Sequence, residues 1–337
     1  MFRSMAVGKA EHQHPDRAES GFSFTVPCFG SLDQEAIKDH LARDHFFWLD
    51  LTAPSEEEVE QLREIFEFHP LALEDTLHFG QRPKLDDFGD YVFMVFYGAT
   101  DDDDGDVRLQ EVQMFVSGKY LVTVHQNPLP VLSEELSRLE GQVLHSEQFL
   151  IYRVFDALTD SFFPSLARMD DEIDQLEDAI LAGPSDSQLQ RLFGMKRTLV
   201  AMRKVVTPQR DLFARSVDQL AELRGLQLDE RDYFRDVYDH LIRISDLIDS
   251  YRDLLSGSTD LYLSTVSNRQ NEVMKQLAIV GTIFLPLSFI TGFFGMNFDW
   301  LVNTAIAPTW TFFVLGVGSM LGTCVLLVRF FKRRGWM

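Results

Sequence analysis

Cysteine is nearly absent. Cys28 and Cys324 are the only two in 337 residues, they stand far apart, and neither belongs to a CxxC. That excludes a disulfide scaffold, suggests neither a zinc site nor a redox motif, and fits a reducing compartment. Base is scarce beside acid: 31 Lys and Arg face 52 Asp and Glu, for a net charge of -21. A nucleic-acid binder needs Lys and Arg clustered against phosphates, so no nucleic-acid partner is expected. Enzyme signatures are missing as well: there is no Walker loop, no GxSxG and no HExxH, and the chain reads as no enzyme. No apolar h-region opens the sequence, so no cleavable signal peptide is expected. Disorder as the main state is excluded by what is abundant, since 29 Phe are too many for a solvated coil.

Charge is missing in two long stretches near the end. No charged residue occurs from Gln276 to Phe298 or from Trp300 to Val328, and only Asp299 separates them. Each run exceeds the roughly 20 residues a helix needs to cross a bilayer. Pro308 interrupts the second. The reading is a first membrane helix over 276–296, an outer loop over 297–309, a second membrane helix over 310–330 and a basic tail over 331–337. Trp300, Trp310 and Trp336 stand near the expected membrane surfaces, as aromatic belts do. Arg329, Lys332, Arg333 and Arg334 mark the cytoplasmic side. Two spans return the chain to its starting side, so both termini are expected in the cytoplasm and the protein in the cell (inner) membrane, with lipid as a partner. Nearly all the acid then lies in the soluble part. It is a solvated surface or a field that concentrates divalent cations.

The soluble part reads as an α/β domain followed by helices. Residues 1–20 are a polar tail. Over 21–130, strand-like runs at Phe22–Phe29, Phe46–Leu51, Tyr91–Ala99, Glu111–Val116 and Tyr120–His125 alternate with helical patterns at Leu32–Arg43, Ser55–Phe68 and Pro70–Leu77. Ser55 with Glu58 forms a capping box. The acidic turn Asp101–Asp106 places Thr100, Asp102, Asp104, Gly105 and Glu111 at EF-hand positions, but Thr100 stands where Asp is needed and the flanks look like strands. It reads as a hairpin turn. Long helices fill 131–228, one at about 146–182 and another from Asp186 to Leu223 bent at Pro208. From Asp229 to Met296 only Pro286 is a breaker, which predicts a helix of roughly 100 Å at ~1.5 Å per residue. Its first part, 229–275, is a stalk leading into the first span. A helix so long needs partners along its side.

Heptad steps from Asp260 give Asp260, Ser264, Ser267, Asn271, Met274, Ala278, Gly281, Leu285, Ser288 and Gly292. Such steps keep them on one face of a supercoiled helix. That face is small and polar. Small-residue packing between membrane helices explains Ala278, Gly281 and Gly292. It does not explain Ser264, Ser267 and Asn271 in line with them, and a water-lined path does. One hairpin cannot enclose a pore, so this path requires an oligomer. Met274 and Leu285 are the large apolar residues on the stripe, suited to a constriction that closes by expelling water.

Gly295-Met296-Asn297, following an apolar helix, resembles the signature of the CorA family of magnesium channels. The likeness extends to Ser267-Asn-Arg-Gln-Asn-Glu-Val-Met-Lys275 and Thr282-Ile-Phe-Leu-Pro-Leu-Ser-Phe-Ile-Thr-Gly292 in the inner helix. It also takes in His69-Pro-Leu-Ala-Leu-Glu-Asp75, Gln81-Arg-Pro-Lys84 and Arg235-Asp-Val-Tyr-Asp-His240 in the soluble part. The resemblance implies a CorA-like funnel: an α/β cytosolic domain, a long helical stalk and a C-terminal two-helix transmembrane hairpin, assembled as a homopentamer. It implies passive uptake of magnesium, with cobalt or nickel as further candidates. Gly295, Met296 and Asn297 would form the selectivity filter, five Asn297 amide oxygens holding the hydrated ion at the outer mouth. Magnesium demands octahedral oxygens and sheds water reluctantly, so recognition through its water shell is the cheaper route. Cytosolic magnesium would also regulate, at Glu74, Asp75 and Asp236. Asp236 has a second option, an i,i+4 pair with His240.

The outer loop departs from the family. Many members continue with Met-Pro-Glu-Leu, whereas this chain continues Asp299-Trp-Leu-Val. Two alternatives stand beside the magnesium reading. One is a zinc or other divalent-cation transporter of the ZntB-like branch, against which Met296 speaks because that branch usually changes this residue. The other is a membrane-anchored metal-sensing scaffold, against which Asn271 and Asn297 speak because an anchor has no use for them.

Overall fold

The structure is a computed structural model. It describes residues 24–25, 27–102, 105–140, 142–144, 146–221, 231–296 and 309–336. The expected tail 1–20, Asp103 and Asp104 of the acidic turn, the start of the stalk and the outer loop with Asn297 lie outside the described residues. The chain forms two compact units. The first takes in residues up to Glu172 and Gly194–Asp253, the second Ile173–Phe193 and the chain from Leu254 on.

The first unit is built on a mixed six-stranded sheet. Strands β2 (Cys28–Phe29), β3 (Phe47–Thr52), β4 (Lys84–Asp87), β5 (Val92–Asp101), β6 (Val107–Val116) and β7 (Tyr120–His125) lie in the order β2-β3-β7-β6-β5-β4. The β2–β3 and β3–β7 pairs are parallel and the others antiparallel. Two short strands, β1 (Phe24–Thr25) and β8 (Val143–Leu144), pair apart from it. Both faces of the sheet are covered, and β5 and β7 are buried along nearly their whole length. On one face Phe68 stacks on Phe115 at 4.0 Å, beside Phe93. On the other Phe96 meets Phe155 and Phe213 edge to face.

Three helices precede the hairpin strands. They are α1 (Gln34–Ala42), α2 (Glu56–Phe66) and α3 (Pro70–Leu77). Ser55 and Glu58 form the capping box at the start of α2, worth about 1 kcal/mol. His69 caps α3, with Pro70 in its first position. The acidic turn is a hairpin between β5 and β6, with Asp101 opposite Val107 and Gly105 at φ +80°. Glu111 sits inside β6, far along the strand from any loop. Asp101 is held by Arg168 and Ser165.

After α4 (Pro130–Leu139) the expected single helix is two, α5 (Glu147–Asp160) and α6 (Phe162–Ala182). The interruption is Ser161. Its hydroxyl donates to the Leu158 carbonyl at 2.5 Å and accepts the Ala99 amide at 2.8 Å. Pro164, in the first turn of α6, lacks the N–H that would bond Asp160. Gly98 makes this approach possible, since a Cβ there would stand 3.1 Å from both Leu158 Cδ2 and Ser161 Oγ.

Helix α7 (Asp186–Ala221) contains Pro208. Next to it the fully buried Gln209 accepts the Tyr97 amide of β5 at 2.8 Å and reaches the Tyr97 carbonyl at 3.4 Å. Helix α8 (Arg231–Phe294) runs 64 residues through Pro286, about 96 Å at ~1.5 Å per residue. A single turn α9 (Thr309–Thr311), a π-helical segment (Phe312–Val317) and α10 (Gly318–Arg333) follow.

One buried polar network ties the parallel strands. Trp48 Nε1 donates to Thr123 Oγ1 at 2.9 Å, and Thr123 Oγ1 donates to Asp50 at 2.5 Å. His125 faces Asp50 through Nε2 at 3.2 Å and the Asn127 carbonyl through Nδ1 at 2.7 Å. A carboxylate and a carbonyl both accept, which favours the doubly protonated imidazole. Burial pulls its pKa down, and contact with Asp50 more than offsets that.

Gly98→Val tests the packing between β5 and the α5–α6 junction. Forcing side-chain carbons into a filled site costs about 1–3 kcal/mol. The full-length variant should therefore melt several degrees lower than wild type by thermal denaturation. An unchanged melting temperature would mean that the junction is loosely packed.

Candidate functional site

Helix α8 carries the whole polar stripe. Asp260, Ser264, Ser267, Asn271, Met274, Ala278, Leu285, Ser288 and Gly292 are exposed in the single chain, and Gly281 is partly buried. Beside the stripe runs an apolar one, with Leu263, Val273, Leu277, Val280 and Phe284 all exposed. It begins in the hydrophilic part of the helix and continues into the uncharged part. Tyr233–Phe294 and Phe313–Arg333 contain windows apolar enough to cross a membrane, and only 6% of each window is buried inside the chain. Thr282 Oγ1 donates to the Ala278 carbonyl at 2.7 Å, and Thr291 Oγ1 to that of Ser288 at 2.9 Å. These two threonine hydroxyls are thus satisfied within the helix.

At its end the Gly295 amide donates to the Thr291 carbonyl at 3.0 Å and the Met296 amide to Phe293 at 3.3 Å. A Cβ on Gly295 would lie 3.2 Å from the Thr291 oxygen. Glycine is therefore the residue that lets the chain turn so closely after the last helical carbonyl. Asn297, the next residue but one, lies outside the described residues.

Of the expected regulatory residues, Glu74 is exposed on α3 and Asp75 partly buried beside it. Asp75 is already engaged. One oxygen accepts Gln81 Nε2 and the other lies against Lys84 Nζ, each at 2.5 Å. Lys84 also pairs with Asp86 at 3.1 Å. Burial pulls the Lys84 ammonium down, but its contacts with the two carboxylates outweigh that and raise its pKa. The turn that supplies Gln81 is anchored by Glu111, which accepts the amides of Gly80 at 2.5 Å and Gln81 at 2.9 Å. Glu74, Asp75, Lys84 and Asp86 line an open acidic cavity of about 550 Å³ with Asp87 and Phe88.

Asp236 lies on α8 in another setting. Its carboxylate accepts Tyr152 OH at 3.0 Å and faces His240 Nε2 at 3.8 Å, the i,i+4 pair expected from the sequence. His240 Nδ1 stands 2.9 Å from Asp160 and 3.5 Å from Asp156. Potential ligand atoms of Asp156, Asp236 and His240 all lie within 4.8 Å of one another, the only such group of three among the described residues. Glu74 and Asp75 do not join it. Asp156 Oδ1 is shielded from solvent, and its nearest cation is His240 Nδ1 at 3.5 Å. Two carboxylates and an imidazole accept a divalent cation, and the nitrogen favours a transition metal over magnesium. Contact with Asp156 and then Asp160 holds the His240 imidazolium up to about 10. At neutral pH a metal there must displace a proton.

Asp156, Asp160 and Tyr152 escaped the sequence reading. They sit on α5, some eighty residues before Asp236, and only the packing of α5 against α8 unites them. Lys84 closes the Gln-Arg-Pro-Lys motif, but its pairing with Asp75 has no sequence signal. Glu111 belonged to the supposed calcium pattern and instead holds a turn.

A family model described as CorA-like Mg2+ transporter protein matches residues 43–333. The cobalt/magnesium transport protein CorA of Thermotoga maritima is 36% identical over 320 residues, covering 92% of this chain and 88% of that one. The putative metal ion transporter YfjQ of Bacillus subtilis is 32% identical over 297 residues, covering 86% and 90%. Among solved structures, the CorA magnesium transporter from Methanocaldococcus jannaschii has the same fold, with a TM-score of 0.75 at 24% identity, over 86% of this chain and 91% of that one.

His240 makes the acid cluster testable by pH. Its folded pKa lies above the ordinary 6.5, near 10. The stabilisation is therefore complete below about 6.5 and disappears as pH rises through about 10. The melting-temperature gap between wild type and His240→Gln should be widest at the acidic end of that window and close at the alkaline end. A gap independent of pH would show that the ion pairs contribute nothing.

Proposed function

The chain belongs to the CorA-like Mg2+ transporter family, and we propose that five copies of it form a passive magnesium channel in the cell membrane. A member of this family is a divalent-cation transporter and not an enzyme. The finer reading rests on one observation, the exposed polar stripe from Asp260 to Gly292 on an unbroken helix that becomes the first candidate span. The apolar stripe beside it supplies the surface for neighbouring copies. Five α8 helices would then enclose the polar stripes as a pore, ringed by Met274 and Leu285 at its narrow places. Both termini face the cytoplasm in this reading.

Selection falls to Asn297, just beyond the tight turn at Gly295. A ring of amide oxygens binds the waters of magnesium without stripping them, and release stays fast. Uptake is driven by the membrane potential. At ~2.3 kcal/mol per charge per 100 mV, a divalent ion entering a negative interior gains about 4.6 kcal/mol per 100 mV. Cytosolic magnesium closes the channel by occupying the carboxylates of Glu74, Asp75 and Asp236 between subunits. The imidazole beside Asp236 favours cobalt, nickel or zinc as further occupants of that place.

Asn297→Ala should abolish selective magnesium flux into proteoliposomes while size-exclusion chromatography finds the oligomer intact. Wild-type flux through the variant would remove Asn297 from the filter.

Asp75→Asn with Asp236→Asn should weaken the protection that magnesium gives the soluble domain against protease. If magnesium protects the double variant as well as wild type, these carboxylates are ordinary surface charges.

A further inference from the structure

The C-terminal end of α10 has two opposed faces. Phe331 is buried, and Trp336 folds back onto it, ring stacked at 5.8 Å and amide donating to the Phe331 carbonyl at 3.0 Å. At 3.6 residues per turn, Arg329, Lys332 and Arg333 fall on the other side within about 100° of one another. All three are exposed or partly so. Among the described residues none of them forms an ion pair, although Lys84, Arg138, Arg153, Arg168 and Arg203 each have an acid. In a chain with 52 acids to 31 bases that is notable, because counter-charge is plentiful elsewhere. One to two turns earlier on the same face stand Leu321, Val325 and Leu326, 62%, 65% and 67% exposed.

We infer that this face of α10 is a binding site for an anionic phospholipid. Its phosphate lies between Arg329 and Arg333, with Lys332 at the flank, and its acyl chains lie along Leu321, Val325 and Leu326. Charge and polarity both select this occupant. The cationic end needs an anion, and the adjoining surface needs hydrocarbon; a lipid carries both at the right separation. Guanidinium groups four residues apart present a fork to phosphate oxygens that one lysine cannot. A zwitterionic lipid has the same phosphate but carries its own cation, so the site discriminates by net charge. The inference needs only the second span and is independent of the pore and of its regulation.

Trp336 provides the reporter. The full-length chain is reconstituted into phosphatidylcholine vesicles containing acyl-brominated phosphatidylglycerol or, at equal mole fraction, acyl-brominated phosphatidylcholine. The Trp336 signal is taken as the difference from Trp336→Phe. Phosphatidylglycerol should quench it with an apparent preference on the order of tenfold, and Arg329→Gln should lower that preference about fivefold, the worth of one basic residue at an anionic surface. This single substitution leaves Lys332, Arg333 and Arg334 to orient the span. The triple variant Arg329→Gln, Lys332→Gln, Arg333→Gln should show no preference. Equal quenching by both lipids in wild type overturns the site. So does a preference that survives the triple variant, or one that soluble glycerol phosphate competes away. A change of oligomeric state in Arg329→Gln with quenching unaltered would assign the face to a second copy instead.

Discussion

A helix of 64 residues cannot be stable on its own account. Propensity supplies tenths of a kcal/mol per residue, so a long helix persists only where its sides are buried. Along the first part of α8 that burial is provided within the chain, where Phe234, Val237, Leu241, Ile244 and Ile248 are almost wholly enclosed. From Leu263 on most of the apolar side chains are open. The apolar stretch that follows has no such cover within the chain, and only 6% of its most apolar window is buried there. The candidate span and the exposed stripe thus belong to one continuous helix, which passes through Pro286 with one backbone bond missing.

The soluble unit handles its acid by pairing it internally. Asp50 is matched by His125 inside the sheet, Glu135 by Arg138 and Arg153, Asp75 by Lys84, and Asp156 and Asp160 by His240. Two of these pairs occupy the places proposed for regulatory metal. A divalent ion arriving there meets a resident cation rather than bare carboxylates. Its apparent affinity is then a difference between two interactions.

Local signals in the sequence carried the fold well. Pro70–Leu77 and Tyr120–His125 begin and end where turn residues and apolar runs place them, and Ser55 and Glu58 cap α2 as their spacing indicates. The exposed stripe on α8 follows from period alone. What failed needed partners distant in sequence. The break at Ser161 depends on Gly98 in another strand, although Pro164 was a visible hint. Strand β4 is short and polar and pairs only because β5 lies beside it. The cluster at Asp236 draws on α5, whose acids look like any solvated helix face until α8 is packed against them. The spacing offered the His240 pair for Asp236, whereas the pairing of Asp75 with Lys84 had no sequence signal.

The amide of Gln209 has a consequence for solubility. Strand β4 pairs with β5 only from Val92 to Val95. Beyond that point β5 would present open backbone groups, the template on which a foreign strand adds and aggregation starts. Gln209 offers one acceptor and one donor to Tyr97, as a peptide group of a neighbouring strand would. A helix side chain thus stands in for a missing strand and closes the sheet to intruders. A glutamate carboxylate could accept there but not donate, and would leave the Tyr97 carbonyl without this partner.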